Sequence, residues 1–298
     1  MTPLVEVPGI EPGNAAGSHR LLLKCENLQA AGAFKIRGAY NMIVQLPEAA
    51  RRQGVMTFSS GNHGLAVGYA ARRLGIPAVV VMPTTAPPVK VDGVRELGAE
   101  VVLEGTTIVH RKARAEAEAL ARGLTIVPPF DHEWIIAGQG TIGLEILDQC
   151  PDVTTLYVPV GGGGLISGIS AAVKRVKPSV RIIGVEPAGA PKMSTSLRAG
   201  HPVTLDRVET IADGLTTVRP GNITFPHVQA FVDDVVQVDD DAIVVAMRWL
   251  FREARLVVEP SGAVTVAAAR ARETAGTTVA VLSGGNVEPA AYARYLAG

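Results

Sequence analysis

The stretch from Val55 to Pro83, VMTFSSGNHGLAVGYAARRLGIPAVVVMP, contains the pattern that decides the fold. A short apolar run, VMTF, is followed by a polar turn rich in glycine, a segment with helical periodicity and a second apolar run, AVVVM. Strand, helix and strand at this spacing form a βαβ unit, whose parallel strands are buried on both faces. The stretch therefore predicts an α/β protein.

The same alternation continues along the chain in two blocks. The first block goes on through the strands EVVLE and TIVP, and the second contains TTLYVPV, RIIGVE, VVQV and TTVAVLS, with helical segments between them. The intervening PPFDHEWIIAGQGT shows neither period, so we expect irregular chain that crosses between domains. The pattern predicts two open, mainly parallel twisted sheets in three layers. We assign 1–53 and 129–298 to a large domain and 54–128 to a small one.

Composition excludes several classes of protein. The 28 Lys and Arg residues balance 28 Asp and Glu residues, so no global charge favours nucleic acid or an anionic membrane. Two cysteines in 298 residues provide no disulfide framework and favour a reducing compartment. The N-terminus lacks the plan of a signal peptide, and no apolar run approaches the roughly 18 residues of a membrane helix. We expect a cytoplasmic protein without nucleic-acid or membrane partners.

Three predicted strands end in polar or glycine-rich loops. Gly161 to Gly164 lie between a strand and a helix, a context that binds anions because backbone N–H groups converge at the positive end of the helix dipole. The dinucleotide and P-loop spacings both fail, so a phosphate on a small cofactor is favoured. The second loop, Ser59 to Gly64, offers groups that suit a carboxylate, although Ser and Asn also cap helices. The third loop is Ser283 to Asn286, and open α/β sheets bind ligands at such strand ends.

Lys35 raises a separate question, because it lies between two large apolar side chains in GAFKIRGA, residues 32–39. The segment from Phe34 onward has helical periodicity, which places Lys35 in the first turn. The apolar stripe of this helix is Ile36, Tyr40, Ile43 and Leu46. Most lysines in such a position are solvated. A lysine that forms a Schiff base must lose its charge, which burial and a neighbouring cation such as Arg37 favour. Spacing alone leaves both alternatives open.

An ordered set of motifs resembles the fold-type II pyridoxal-phosphate enzymes, and most closely the threonine dehydratase and serine racemase family. The motifs are KCENLQ running into GAFKIRGA, then SSGNHG, AGQGT, PVGGGG, IADGL, VVEPSGA and VLSGGN. The resemblance implies pyridoxal 5′-phosphate as cofactor, a small amino acid as substrate and a homodimer. It also implies a fold like that of the tryptophan synthase β-subunit, with the cofactor in the cleft between a large and a small domain.

The same resemblance implies roles for individual residues. Lys35 matches the lysine that binds the cofactor covalently and later removes the substrate Cα proton. Phe34 matches the aromatic residue beside the cofactor, and Ser283 matches the hydroxyl at the pyridine nitrogen. The phosphate cradle corresponds to Gly161, Gly162, Gly163 and Gly164. The loop that binds the substrate carboxylate corresponds to Ser59, Ser60, Asn62 and His63. Asn62 also matches the asparagine on the cofactor's ring hydroxyl, and Ser60 matches the second acid/base of the racemase branch.

The function implied is β-elimination of water from L-threonine or L-serine, which yields 2-oxobutyrate or pyruvate and ammonia. The alternatives are a serine or aspartate racemase, a dehydratase of another β-hydroxy amino acid such as 3-hydroxyaspartate, and a non-catalytic protein that binds the cofactor or an amino acid. A β-replacement synthase is disfavoured because His63 stands where that branch has threonine. The candidates for the substrate side-chain pocket are Phe130, Asp131, His132 and Trp134.

Two residues depart from the family pattern. Ala33 replaces a serine that often precedes the Phe-Lys pair. Lys192 takes the place of an acid that, together with the acid at Glu186, binds a divalent cation in the racemase branch. We therefore predict no metal site and hypothesise that the Lys192 ammonium partly replaces the ion. The resemblance also leads us to expect that the N-terminal helix and the regulatory domain of some relatives are absent.

Overall fold

The stretch that predicts the fold forms strand β3 (Val55–Phe58), helix α3 (Asn62–Leu74) and strand β4 (Ala78–Met82). The computed structural model describes residues 1–7, 19–59, 61–86, 88–272 and 276–297. Within it the chain divides into two compact units, Met1–Phe34 with Gln139–Gly298, and Lys35–Gly138. Each unit contains one mainly parallel sheet with helices, so the predicted α/β class with two such sheets is confirmed.

The larger unit contains a six-stranded sheet. Its strands are β1 (Leu4–Val7), β2 (His19–Cys25), β7 (Val153–Pro159), β8 (Arg181–Pro187), β9 (Asp234–Val238) and β10 (Gly276–Leu282). They lie in the order β1-β2-β10-β7-β8-β9, and all neighbours are parallel except β1 and β2. The central strands are almost fully buried, as their continuous apolar runs predict. The antiparallel pair at the edge, β1 and β2, was not predicted, because it precedes the part of the sequence in which strands and helices alternate.

The smaller unit contains a four-stranded parallel sheet in the order β5-β4-β3-β6, where β5 is Glu100–Leu103 and β6 is Thr125–Ile126. Its helices are α1 (Lys35–Gln45), α2 (Glu48–Gln53), α3, α4 (Pro88–Glu96) and α5 (Ile108–Arg122). Helix α6 (Glu133–Gln149) includes residues of both units. The larger unit contains α7 (Gly164–Val176), α8 (Lys192–Ala199), α9 (Thr224–Phe231), α10 (Asp240–Trp249), α11 (Pro260–Arg270) and α12 (Pro289–Ala297). In the part of the chain that the structure describes, no helix combines the length and the hydrophobicity needed to span a membrane.

Helix α6 corrects one prediction, because the segment expected to be irregular is helical from Glu133 onward. Glycine has a low helix propensity, so the two glycines of the AGQGT motif weaken the sequence signal for this helix. These glycines allow close packing instead. A Cβ on Gly138 would lie 2.6 Å from the carbonyl oxygen of Arg37 in α1, and one on Gly140 would lie 3.0 Å from that of Gly168 in α7.

The chain passes from one unit to the other at 34/35 and at 138/139, whereas the predicted domain boundaries lie at 53/54 and 128/129. The difference has a physical cause in the packing of α1 and α6. Ala39 and Ile43 of α1 share one apolar core with Val67 of α3 and Ile135 of α6. These helices therefore pack with the four-stranded sheet, and the assignment of domains by function stays a prediction.

Candidate active site

Lys35 is the first residue of α1, as predicted, and its side chain is half-buried. The Nζ atom donates a 2.6 Å hydrogen bond to the carbonyl oxygen of Pro129. The buried side chains of α1 with more than a hydrogen atom are Ile36, Ala39, Met42 and Ile43, and Gly38 is buried beside them. Tyr40, which was predicted on the apolar stripe of this helix, is 43% exposed, so the predicted stripe was wrong at this position. The helix is thus anchored by its apolar face, while the amine is held by a carbonyl group rather than extended into solvent.

The loop after β3 leads directly into α3. The N–H of Gly61 donates a 3.3 Å hydrogen bond to Oγ of Ser59, and both Ser59 and Asn62 are half-buried. A Cβ on Gly64 would lie 2.6 Å from the carbonyl oxygen of Ser59, so the first turn of α3 packs against the loop. Among the described residues, no side chain caps α3, whose N-terminal N–H groups remain suited to an anion. Ser60 lies outside the described residues, and its role stays a prediction.

The ring of His63 is buried and neutral. Burial, and secondly the positive charge of Lys35, lower the pKa of His63 to about 3. Nε2 lies 2.9 Å from the carbonyl oxygen of Val127, which assigns the proton to Nε2, and Nδ1 has no partner among the described residues. An unprotonated Nδ1 only accepts hydrogen bonds. A contact between His63 and a substrate carboxylate would therefore come from the main-chain N–H rather than from the ring.

Lys35 and His63 both bond to the segment that follows β6. The carbonyl oxygen of Val127 accepts from His63, as described, and from Oγ1 of Thr57 at 2.9 Å. Two residues further along, the carbonyl oxygen of Pro129 accepts from Lys35. The structure thus brings the predicted catalytic lysine and part of the predicted carboxylate loop to one short segment of chain.

The four candidates for the substrate side-chain pocket form a compact turn after Pro129, and all are half-buried. The N–H of His132 donates to the carbonyl oxygen of Phe130 at 3.0 Å. The N–H of Trp134 donates to Nδ1 of His132 at 3.1 Å, and the two rings lie 5.3 Å apart between centroids. This turn directly follows the carbonyl that holds Lys35, so Phe130, Asp131, His132 and Trp134 remain candidates for contact with substrate.

The glycine loop lies in the larger unit between β7 and α7. Gly162, Gly163 and Gly164 are buried and Gly161 is half-buried. None of their four amide N–H groups donates a hydrogen bond to another described residue. Helix α7 begins at Gly164 without a side-chain cap from the described residues. Consecutive unpaired N–H groups at a helix N-terminus suit a phosphate group.

The conformation of this loop is held by residues that the sequence patterns did not identify. Oγ1 of Thr224 donates a 2.6 Å hydrogen bond to the carbonyl oxygen of Gly162, and the N–H of Gly221 donates to the same oxygen at 3.1 Å. Gly163 has a φ of +100°, and its Cβ, if present, would lie 2.8 Å from Thr224. The only sequence signal was the Pro-Gly-Asn turn just before Thr224, which does not indicate its partner.

Phe34 and Ser283, two predicted cofactor contacts, are neighbours in the larger unit. The N–H of Phe34 donates a 3.0 Å hydrogen bond to the carbonyl oxygen of Ser283, and Ala33 forms an antiparallel bridge with Gly284. The hydroxyl of Ser283 is buried and donates a long hydrogen bond of 3.4 Å to the carbonyl oxygen of Ser261. A hydroxyl held this loosely is able to turn toward another partner.

These groups fit pyridoxal phosphate. In the larger unit, the loop from Gly161 to Gly164 has unpaired N–H groups that suit a phosphate, and Ser283 has a hydroxyl that suits a ring nitrogen. In the smaller unit, Lys35 has an amine of the kind that forms a Schiff base with an aldehyde. In the described parts of the chain, no group of three His, Cys, Asp or Glu side chains is arranged to hold a metal ion.

Comparison with known proteins matches residues 1–284 to the family described as "Pyridoxal-phosphate dependent enzyme". The L-threonine ammonia-lyase of Geobacter sulfurreducens is 46% identical over 271 residues, which cover 90% of this chain and 67% of that protein. A serine racemase of Oryza sativa subsp. japonica is 42% identical over 295 residues, which cover 96% of this chain and 86% of that protein. The structure of maize serine racemase matches with a TM-score of 0.92 at 40% identity, over 98% of this chain and 90% of that one.

Proposed function

Because the chain belongs to the pyridoxal-phosphate dependent enzymes, we propose that it is an ammonia-lyase for L-threonine and L-serine. The observation that carries this proposal is the 46% identity to an L-threonine ammonia-lyase over 90% of the chain. The reaction removes the β-hydroxyl as water and the amino group as ammonia. The water lost in the elimination is regained when ammonia leaves, so the products are 2-oxobutyrate or pyruvate and ammonia.

We propose Lys35 Nζ as the base that takes the proton from the substrate Cα. The hydrogen bond to the carbonyl oxygen of Pro129 fixes the position of Nζ, and in its uncharged form the amine is able to accept a proton. Pyridoxal phosphate, when bound, supplies the electron sink that makes this Cα proton removable. The residues that would hold it are Lys35, Phe34, Asn62, Gly161, Gly162, Gly163, Gly164 and Ser283.

The substrate carboxylate is proposed to bind at the start of α3, where Ser59, Ser60, Asn62 and His63 lie in sequence. Main-chain N–H groups at this end of the helix favour a negative charge. The neutral ring of His63 adds no second positive charge beside Lys35, because burial lowers the pKa of the ring to about 3. The Ser283 hydroxyl, proposed as the partner of the ring nitrogen, would not need to keep that nitrogen protonated. This limits delocalisation of charge and favours elimination over transamination.

A racemase is the second candidate, and it is favoured by the match to maize serine racemase at a TM-score of 0.92. Racemisation needs a second acid/base on the opposite face of the substrate, and Ser60 is the proposed group. Dehydration of 3-hydroxyaspartate or a bulkier β-hydroxy amino acid is a further alternative within the same chemistry.

We also propose that the protein acts as a homodimer in the cytoplasm. A reducing compartment is supported by Cys25 and Cys150, which are free, buried thiols. The homodimer is proposed from the family resemblance, and sedimentation of the purified protein tests it. A monomer that retains full activity would contradict this part of the proposal.

A panel of L- and D-β-hydroxy amino acids tests the function. The proposal predicts 2-oxo acid and ammonia in equal amounts from L-threonine and L-serine, with little change in the chirality of the remaining substrate. Predominant formation of D-serine from L-serine would favour the racemase instead, and turnover of 3-hydroxyaspartate alone would redefine the substrate. Lys35→Ala is expected to abolish turnover, whereas Lys112→Ala, at a lysine that is 60% exposed, is expected to leave it unchanged.

A further inference from the structure

Lys192, at the start of α8, is a fully buried charged side chain in the larger unit. Its Nζ donates hydrogen bonds to the carbonyl oxygens of Ala190 at 3.0 Å and Leu215 at 2.9 Å. Nζ also lies 3.9 Å from Oε2 of Glu186, whose side chain is likewise fully buried. A carboxylate and two carbonyl oxygens around a buried positive charge are the oxygen ligands that hard cations prefer. The ammonium therefore occupies an environment of the kind that a bound cation would require.

Glu186 is held in place by donors other than the Lys192 amine. Its Oε2 accepts a hydrogen bond from the N–H of Met193 at 2.9 Å, and its Oε1 accepts one from the N–H of Ser194 at 2.9 Å. The hydroxyl of Ser194 donates to the same Oε1. Hydrogen bonds from N–H and O–H donors stabilise the ionised carboxylate, and a buried carboxylate needs a cation close by. If the Lys192 amine were removed, the remaining oxygen atoms would present an anionic cavity.

Through Leu215, the ammonium reaches a turn that contacts two parts of the proposed cofactor site. The turn Asp213–Leu215 belongs to the IADGL motif. Its Gly214 N–H donates a 2.8 Å hydrogen bond to Oγ of Ser261, the residue whose carbonyl oxygen accepts from Ser283. A Cβ on Gly161 would lie 3.4 Å from the carbonyl oxygen of Gly214, so the turn also abuts the glycine loop. Displacement of the turn would thus disturb both the phosphate cradle and the Ser261–Ser283 pair.

We propose that Lys192 is a positioning residue whose ammonium group acts as a built-in cation. It ties the Asp213–Leu215 turn to Glu186, and it thereby supports Gly161 and Ser261 without a bound metal ion. The inference rests on the proposed role of Gly161 to Gly164 in binding the cofactor phosphate. In this chain, a covalently attached ammonium thus takes the place that an exchangeable cation would otherwise fill.

Cation titrations of the wild-type protein and of two variants test this proposal. Lys192→Ala removes the ammonium and leaves space, whereas Lys192→Met removes the charge and keeps most of the volume. The probes are ammonium, potassium and magnesium chlorides, each against tetramethylammonium chloride at equal ionic strength. The readouts are the melting temperature of the protein without cofactor and the dissociation constant for pyridoxal phosphate, followed by absorbance. Lys174→Ala is the matched control, because it removes a lysine paired with Asp233 at 2.8 Å in the same unit.

The wild-type protein is expected to show the same melting temperature and cofactor affinity in every salt. Both variants are expected to bind pyridoxal phosphate about tenfold more weakly or worse, as is usual when a supporting partner of a site is lost. A small cation should restore the melting temperature and the cofactor affinity of Lys192→Ala in a saturable manner. It should not restore them in Lys192→Met, and it should not change them in Lys174→Ala.

Three results would overturn the proposal. They are a rise in wild-type melting temperature or cofactor affinity with magnesium or potassium, unchanged cofactor affinity in both Lys192 variants, and equal salt responses of Lys192→Ala and Lys192→Met. The wild-type titration needs no variant, so the test stands even if a variant fails to fold. Wild-type protein that binds no pyridoxal phosphate would refute the proposed function, while the melting temperatures would still report on Lys192.

Discussion

Replacing Gly163 with alanine perturbs the glycine loop where its backbone and its packing are both most restrictive. The φ of +100° lies in a region that alanine avoids, which costs about 1–2 kcal/mol. The new Cβ would lie 2.8 Å from both Cβ and Oγ1 of Thr224, and overpacking of this kind costs about 1–3 kcal/mol. We expect Gly163→Ala to lower the free energy of unfolding by about 2–5 kcal/mol in total.

The same change is expected to weaken cofactor binding, because Thr224 cannot move without disturbing its hydrogen bond to the carbonyl oxygen of Gly162. The matched control is Gly200→Ala. Gly200 has a φ of +77° but no heavy atom within 4 Å of an added Cβ, so it carries only the backbone contribution. The difference between the two variants therefore isolates the crowding at Thr224, which we expect to be about 1–3 kcal/mol.

Urea unfolding of both variants without cofactor measures the difference, and titration with pyridoxal phosphate measures the loss of affinity. Gly163→Ala should be the less stable variant and the weaker binder. Equal stability and equal cofactor affinity of Gly163→Ala and Gly200→Ala would refute the reasoning, because the close contact with Thr224 would then have no energetic consequence.

Two further predictions concern Thr224 and His63. Thr224→Val keeps the shape of the side chain but removes the hydrogen bond to Gly162, so it should lower the free energy of unfolding by about 1 kcal/mol and weaken cofactor binding. Thr84→Val, at an exposed hydroxyl that bonds to a carbonyl, should do neither, and equal effects of the two would contradict the assignment. Burial lowers the pKa of His63 from 6.5 to about 3. Between these two pH values the unfolded state binds a proton at His63 and the folded state does not, so the free energy of unfolding falls as the pH falls. Wild-type stability should therefore fall by up to about 1.4 kcal/mol per pH unit more than that of His63→Gln as the pH drops from 6 to 4. Parallel urea-midpoint curves for these two proteins would show that His63 is not a buried neutral group.

Local patterns predict much of this fold, and the failures have identifiable causes. The βαβ alternation predicts β3 to β10 because each of these strands carries its own apolar run and most of the connections contain helices with a period of their own. Helix α6 escapes prediction because Gly138 and Gly140 weaken the helical signal. At both positions the backbone of another helix lies too close to leave space for a side chain, so glycine is required. A pattern within one segment does not contain that information.

The candidate site likewise has one part that local sequence patterns predict and other parts that they do not. The glycine loop is predictable because strand, loop and helix are contiguous from 153 to 176. Thr224, which holds Gly162, lies 62 residues away in the sequence, so no local spacing connects them. The state of the His63 ring likewise depends on burial beneath the Val127 segment rather than on its motif. Lys192 is visible in the sequence as a departure, but its contact with Leu215 is visible only in the structure.

Covalent attachment of the cofactor to Lys35 can be measured without any variant of the protein. The protein is saturated with pyridoxal phosphate, reduced with borohydride to make any covalent bond to a lysine permanent, and digested for peptide mass spectrometry. We expect the added mass of the reduced cofactor on Lys35 and on no other lysine. Attachment at a different lysine, or no attachment to the fully loaded protein, would contradict this expectation.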